Sequence, residues 1–400
     1  MTGQTYRLKD ICSIKSGKRI PLGMDFTTEI TNYPYIRARD IKGGKIQTDD
    51  LIYIDEIVFN KIKKYIIKSG DIAITIVGAS VGDVAYAQDE IDGFNLTENA
   101  VRLTEFNSIV DGKYLFYVLN QEQYHEYMQT VAGGAAQPKL GIYKVERIKV
   151  FLPPLNIQKE IASILTAYDN LIENNNKRIR LLEQMAENLY KEWFVRFRFP
   201  GHEKAEFENG LPKGWSLKNL FDVADVSYGY AFKSDLFCND KNLNAVVRIR
   251  DIQDNHTDTY TSEVCDDKYL IEENAILVGM DGLFHMCLWN GEKAYLNQRV
   301  VKICSKKKDM CNYMIFMAIR PQIKFWEQVI AGTTVAHLGD KHLKKIKIAV
   351  PTEDLLLKAN ESIQRIMVEK NQLFKQNQIL SRQRDLLLPR LMSGKLEVKL

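Results

Sequence analysis

The sequence predicts an α+β fold in which two duplicated domains are each followed by a long helix, the two helices pairing as an antiparallel coiled coil within the chain. Three observations carry this expectation. Seam positions step by four and three through Ile161, Leu165, Tyr168, Ile172, Asn175, Ile179, Leu182, Ala186, Leu189 and Trp193, a heptad stripe that a helix cannot bury within its own turns. A second seam with the same stepping runs through Ala359, Ile363, Ile366, Lys370, Leu373, Asn377, Leu380, Arg384, Leu387 and Leu391. The two halves also repeat the same anchors in the same order, with a period of about 200 residues, far beyond the 20–50 residues of a solenoid unit.

Taken in order, the first half opens Tyr6-Arg-Leu-Lys-Asp-Ile-Cys-Ser-Ile-Lys-Ser-Gly17 and the second Trp215-Ser-Leu-Lys-Asn-Leu-Phe-Asp-Val-Ala-Asp-Val-Ser-Tyr-Gly229. Tyr35-Ile-Arg-Ala-Arg-Asp-Ile41 is matched by Val246-Val-Arg-Ile-Arg-Asp-Ile252, and Ser69-Gly-Asp-Ile-Ala-Ile-Thr-Ile-Val-Gly78 by Glu273-Asn-Ala-Ile-Leu-Val-Gly279. Gly-rich loops ending at Leu140 and Leu338 follow, then Ile148-Lys-Val-Phe-Leu-Pro153 and Ile346-Lys-Ile-Ala-Val-Pro351. Short β-branched runs between Gly, Asp and Asn read as strands. The alternation over 145–152 reads as a strand, and the apolar spacing over 113–128 and 311–326 as helices. Pro153 and Pro154 mark the start of the first long helix because proline is excluded from a helix interior. Domains are expected at 1–153 and 215–351, helices at 154–200 and 352–400, and a polar, punctuated linker at 201–214. In the second seam one side stays apolar and the other turns polar, a mixture that fixes register and partner at some cost in stability.

Composition narrows the class of function. The chain has 400 residues, a net charge of +4 and ordinary hydrophobic content of 45%, as expected for a protein of two or more domains. The six cysteines are scattered without a CxxC pair, so neither a zinc ribbon nor a redox motif is indicated. No apolar run is long enough to span a bilayer, and the chain is expected in the cytoplasm with reduced thiols. No phosphate-binding GxxxxGK[ST], GxGxxG, HExxH or GxSxG motif occurs. The six histidines are dispersed. No catalytic or metal-binding residue is assigned, and a non-catalytic role is expected.

Binding residues are better represented. An extended reading of the Arg-x-Arg-Asp-Ile segments places Arg37 and Arg39 on one face, and Arg248 and Arg250 likewise. Paired guanidinium groups suit phosphates or a guanine edge. Basic and aromatic residues after the two glycines (Lys18, Arg19; Tyr230, Lys233), the cluster containing Lys61 and Lys64, and Lys341 add positive charge. Gln137 and His337 occupy equivalent places in the Gly-rich loops and suit base edges, with Lys139 beside them for a phosphate.

This layout resembles the DNA-specificity subunit of type I restriction–modification systems. The resemblance rests on Leu211-Pro-Lys-Gly-Trp215, the two Arg-Asp-Ile elements, the Gly-rich loops and Leu152-Pro-Pro-Leu-Asn-Ile-Gln-Lys-Glu-Ile161 opening the heptad helix. It implies two target-recognition domains, each reading half of a split site in double-stranded DNA, separated by the helix pair. It also implies two docked methyltransferase subunits and associated restriction subunits. S-adenosylmethionine, ATP and Mg2+ would then belong to those partners and no cofactor to this chain. The second copy departs from the pattern: Val350-Pro-Thr-Glu-Asp354 lacks the second proline and the Gln-Lys-Glu. A coiled-coil scaffold that bridges proteins without reading DNA is the competing expectation, and a cryptic enzyme a third.

Overall fold

A computed structural model describes residues 3–133, 138–330 and 336–392. They form two compact units, one drawn from Met1–Ile172 with Gln378–Leu400 and the other from Glu173–Asn377.

In the first unit the strand Gln4–Arg7 pairs antiparallel with Lys149–Leu152, closing the start of the domain onto its end. Beside it lies a four-stranded antiparallel sheet in the order Ser13–Ser16, Ala100–Thr104, Ile72–Thr75, Val84–Tyr86, with Val101 opposite both Ser16 and Ile74. A smaller sheet pairs Pro34–Ile36 antiparallel with Ile52–Tyr53 and parallel with Asn95–Leu96. Ile72, Ile74, Val101 and Leu103 pack beneath the helix Gly112–Leu119, together with Ile161 and Leu165 of the long helix and Leu391.

Two local readings are corrected here. The helix expected over 113–128 is two helices, Gly112–Leu119 and Glu122–Val131. The chain leaves helical geometry at Asn120, a weak helix former, and is extended at Gln121. The strand expected over 145–152 begins only at Lys149, because Ile142–Glu146 closes a helical turn that buries Val145.

The second unit repeats the plan. Ser216–Asn219 pairs with Lys347–Val350, and the sheet order is Ala224–Tyr228, Val300–Ser305, Ile276–Gly279, Met286–Leu288. Val301 stands opposite Val278 as Val101 stands opposite Ile74. Asn244–Val247 pairs parallel with Tyr295–Leu296, as Pro34–Ile36 does with Asn95–Leu96. A single helix, Asn312–Ile330, replaces the first copy's two. The linker carries its own hairpin, Phe207–Glu208 against Leu211–Pro212, and Trp215 packs against Phe194, Phe197 and Phe199 at 5.5–5.7 Å between ring centroids.

The long helices span Leu155–Tyr190 and Glu353–Met392. In the first unit Arg384 Nη1 meets Asp169 Oδ1 at 2.7 Å, and the Tyr117 hydroxyl donates to the same carboxylate. There Ile161 and Leu165 are buried and Ile172, Leu380 and Leu387 half-buried. In the second unit Asn175 Nδ2 donates to Asn377 Oδ1 at 2.9 Å, Asn377 Nδ2 donates to Asn176 Oδ1 at 2.8 Å, and Lys370 pairs with Glu183 at 3.0 Å. The position climbs on one helix as it falls on the other, so the pairing is antiparallel. Leu182, Ile363 and Leu373 are buried, and Ile179, Leu189 and Ile366 half-buried. Met367 and Asn371 also turn inward, Met367 into the domain core and Asn371 onto the Asn274 side chain at 2.8 Å.

A buried amide ties each helix to its domain. Gln158 Oε1 accepts from the Asp111 amide at 2.9 Å, and its Nε2 donates to the carbonyls of Ile109 and Pro153 at 2.9 and 2.8 Å. The missing Gln-Lys-Glu of the second copy has a counterpart one turn later. Asn360 Oδ1 accepts from the Cys311 amide at 2.8 Å and its Nδ2 donates to Lys308 O at 3.4 Å.

Candidate nucleic-acid interface

Each domain builds its candidate surface from the same backbone. Gly17 and Gly229 lie so close to the neighbouring strand connection that a Cβ would sit 2.0 Å from Thr97 O or Asn297 O. Only glycine permits that approach. The following amides then bond identically: Lys18 N to Leu96 O at 2.8 Å, and Tyr230 N to Leu296 O at 2.8 Å. The Gly-rich loops are also pinned alike. Leu140 N donates to Ile76 O at 2.8 Å and Leu338 N to Met280 O at 2.7 Å.

On this shared frame the side chains differ. In the first domain Lys18 is exposed, with its Nζ 5.8 Å from the Tyr65 ring centre. The exposed Arg19 donates its Nε to Glu98 at 2.6 Å, which raises an already high pKa. Lys139 is exposed where Gly133 and Lys139 pinch the loop shut. Lys61 lies on the helix Glu56–Ile62 and Lys64 on the turn Lys63–Tyr65, all three lysines of this stretch pointing to solvent. Gln137 lies outside the described residues.

In the second domain the place of Lys18 is taken by Tyr230, whose ring packs on Phe232 and Tyr269 at 4.9 and 5.4 Å. Its hydroxyl donates to Glu263 Oε1 at 3.2 Å, and the Glu263 charge raises its pKa. Lys233 is exposed, its backbone amide bonded to Glu263 Oε2 at 3.0 Å. His337 Nδ1 donates to Asp281 Oδ1 at 2.7 Å, so its Nε2 remains an acceptor while the ring is neutral. Lys341 is exposed on the short turn Asp340–Leu343. Charge differs between the copies at one position of a shared turn, Lys63 against Asp267, while Lys64 and Lys268 agree. Lys63–Tyr65 in the first domain corresponds to Asp267–Tyr269 in the second, each preceding a strand-like residue (Ile67, Ile271) bonded to Phe94 O or Ala294 O.

The extended reading of the arginine pairs is corrected. Ala38–Asp40 and Ile249–Asp251 are 3-10 turns, with Arg37 and Arg248 at their caps. The cause is local. Asp40 Oδ2 accepts from the Arg37 amide at 2.8 Å, and Asp251 Oδ2 from the Arg248 amide at 2.8 Å, which closes the turn in place of strand pairing. The Arg37 guanidinium is drawn inward, its Nε and Nη2 on Asp40 at 3.0 and 2.9 Å, and that carboxylate raises its pKa. Arg248 instead lies over the Phe237 ring at 5.4 Å. The outer members are the open ones: Arg39 meets Asp50 at 2.8 Å, and Arg250 donates to Thr259 Oγ1 at 3.0 Å, each with about two-thirds of its side chain exposed. Sequence reasoning missed the carboxylates that organise these cations, Asp50, Glu98, Glu263 and Asp281, because sheet pairing and loop packing bring them near. Comparing Thr97-Glu-Asn99 with Asn297-Gln-Arg299 would have drawn attention to one such place.

Among the described residues no group of three or more His, Cys, Asp or Glu could hold a metal ion, and no helix is long and apolar enough to cross a membrane. A duplicated reading frame with variable loops, joined to paired long helices, defines a class of modular recognition proteins. The model of the type I restriction modification DNA specificity domain matches residues 2–184 and 212–383, so the chain belongs to that family. It is a specificity subunit, a non-catalytic component of such systems.

Among its relatives, the type I restriction enzyme MjaIX specificity subunit of Methanocaldococcus jannaschii is 25% identical, over 98% of this chain and 94% of the relative. The HindI specificity subunit of Haemophilus influenzae is 21% identical over 98% and 99%. Among solved structures, the type I restriction-modification S subunit from M. genitalium superposes with a TM-score of 0.59 at 15% identity, over 98% of this chain and 96% of that one, a likeness of fold.

Proposed function

We propose that this chain reads a split, asymmetric site in double-stranded DNA, one domain per half-site, and docks two adenine-N6 methyltransferase subunits on its helices. The observation that carries the reading is the repeated frame with unlike side chains. The same glycine turn presents Lys18 and Arg19 in one domain and Tyr230 and Ala231 in the other. A shared scaffold with different loop chemistry suits two related docking poses on two different sequences. The first domain's lysines and arginines supply phosphate contacts, and Lys139, Lys233 and Lys341 extend them; Gln137 and His337 are assigned to base edges.

Docking is supported by apolar side chains left exposed on the helices: Leu171, Ile379 and Leu386 in the first unit, and Leu181, Met185 and Val368 in the second. A contiguous exposed apolar patch marks a protein-binding face, and the spacings of Leu181 with Met185 and of Ile379 with Leu386 put each pair on one side of its helix. S-adenosylmethionine enters with the methyltransferase subunits, and ATP and Mg2+ with restriction subunits. The assembly works in the cytoplasm, where its DNA is. The domain boundaries at 1–153 and 215–351 are proposed as the units of exchange.

The test is co-expression with the cognate methyltransferase in a methylation-free host and mapping of N6-methyladenine. A split motif whose first half alone changes when residues 1–153 are exchanged for those of a relative supports the reading. A well-formed complex that neither methylates nor binds DNA in a salt-dependent way overturns it in favour of a scaffold.

A further inference from the structure

Resting on that one-domain-per-half-site reading, we propose that residues 99 and 299 are equivalent base-reading positions, Arg299 taking a guanine in the second half-site and Asn99 an adenine in the first. Backbone bonds establish the equivalence. Asn99 O accepts from Ile76 N at 2.8 Å, and Arg299 O accepts from Met280 N at 3.0 Å. Ile76 and Met280 are the same residues whose carbonyls pin the Gly-rich loops at Leu140 and Leu338. One residue later, Ala100 O and Val300 O accept from the amides of Gly17 and Gly229 at 3.1 and 3.2 Å. Position 99/299 therefore sits between the two loops that each domain offers to DNA.

The side chains suit bases more than phosphates. Arg299 is exposed, and its Nε lies 3.4 Å from Asp281 Oδ2, while Asp281 Oδ1 holds His337. The carboxylate thus buttresses the guanidinium at its inner nitrogen. No hydrogen bond reaches the outer Nη groups among the described residues, so the two-donor fork is presented outward. That fork matches the O6 and N7 acceptors of guanine in the major groove. An adjacent carboxylate opposes a phosphate but tolerates a neutral base edge. In the first domain the corresponding carboxamide of Asn99 is half-exposed and likewise has no hydrogen-bond partner among the described residues. One acceptor and one donor side by side match adenine N6 and N7. Neither Asp281 nor position 99/299 carries any sequence motif. The sheet and the pinned loops bring them together.

The experiment uses the full chain in complex with its methyltransferase subunits. The wild-type motif is mapped first, and competition binding is then measured with duplexes carrying each of the four bases at every motif position. R299K keeps the charge and removes the fork. It is expected to lower the preference for one guanine of the second half-site on the order of ten- to a hundred-fold, leaving the first half-site unchanged. D281N is expected to relax preference at that same base. R299K with unaltered preference overturns the assignment, and so does an equal loss on all duplexes with a reduced salt slope, which identifies a phosphate contact. Should the Arg299 variants misfold, N99A tests the other copy: relaxed preference at one adenine of the first half-site supports the proposal, and an unchanged motif overturns it. If the wild-type complex itself shows no split motif, the underlying reading of one domain per half-site falls, an outcome distinct from the failure of position 99/299.

Discussion

At the scale of single residues, what decides a cation's role is the carboxylate behind it. Arg37 and Arg39 are two positions apart, yet Asp40 draws the first into the fold and leaves the second exposed beside Asp50. The motif was legible in the sequence, and its repetition pointed to contact with DNA. Its geometry was not, because an aspartate three residues on competes for the backbone amide and turns the chain. Lys61 and Lys64 are exposed, with no acidic partner among the described residues. The double variant K61A/K64A is expected to weaken DNA binding uniformly across sequences. It should also lower the slope of log affinity against log salt by about two, at roughly 0.9 per lost phosphate contact. A change of preferred bases with an unchanged slope would contradict this.

At the scale of elements, the long helices were the clearest part of the sequence, since a seven-residue period needs no knowledge of what surrounds it. What the period could not convey is that each helix also packs on its own domain, through Gln158 and through Asn360, Met367 and Asn371. The Gln158 side chain is 1% exposed and serves three backbone groups. Q158L should cost about 2–4 kcal/mol in denaturant unfolding, because each buried group left unbonded carries a penalty of its own. N360L, which strands fewer groups, should cost less; the reverse order would show that these amides are not the anchors.

The Asn175–Asn377 pair makes a different expectation. N175A removes the donor to Asn377 Oδ1 while Asn377 keeps its bond to Asn176, and should destabilise by about 0.5–1.5 kcal/mol, whereas N175L/N377L together should raise the melting temperature while loosening helix register, measured by cysteine cross-linking along the seam. A double variant less stable than either single one would show that this pair is not a specificity device.

At the scale of the whole molecule, duplication was legible because five anchors recur in order, and with it the α+β class. The candidate surface was legible only in part. Lys18, Arg19, Tyr230 and Lys233 follow a glycine that the sequence marks, while Asn99, Arg299 and Asp281 meet the loops only once the sheet is formed. On the proposed reading, removing seven residues from each long helix should shorten the gap between half-sites and leave both half-site sequences unchanged, as read by methylation mapping. Altered half-site sequences would refute the helices' role as a spacer. The exchange of charge at one turn, Lys63 in the first domain against Asp267 in the second, bears on time as well as on affinity. A charge that attracts DNA speeds encounter, so on the proposed reading D267K is expected to raise the association rate at low salt and to leave the preferred bases unchanged. The pace at which each half meets DNA would then be set apart from the bases it prefers, in a chain whose two halves share one backbone.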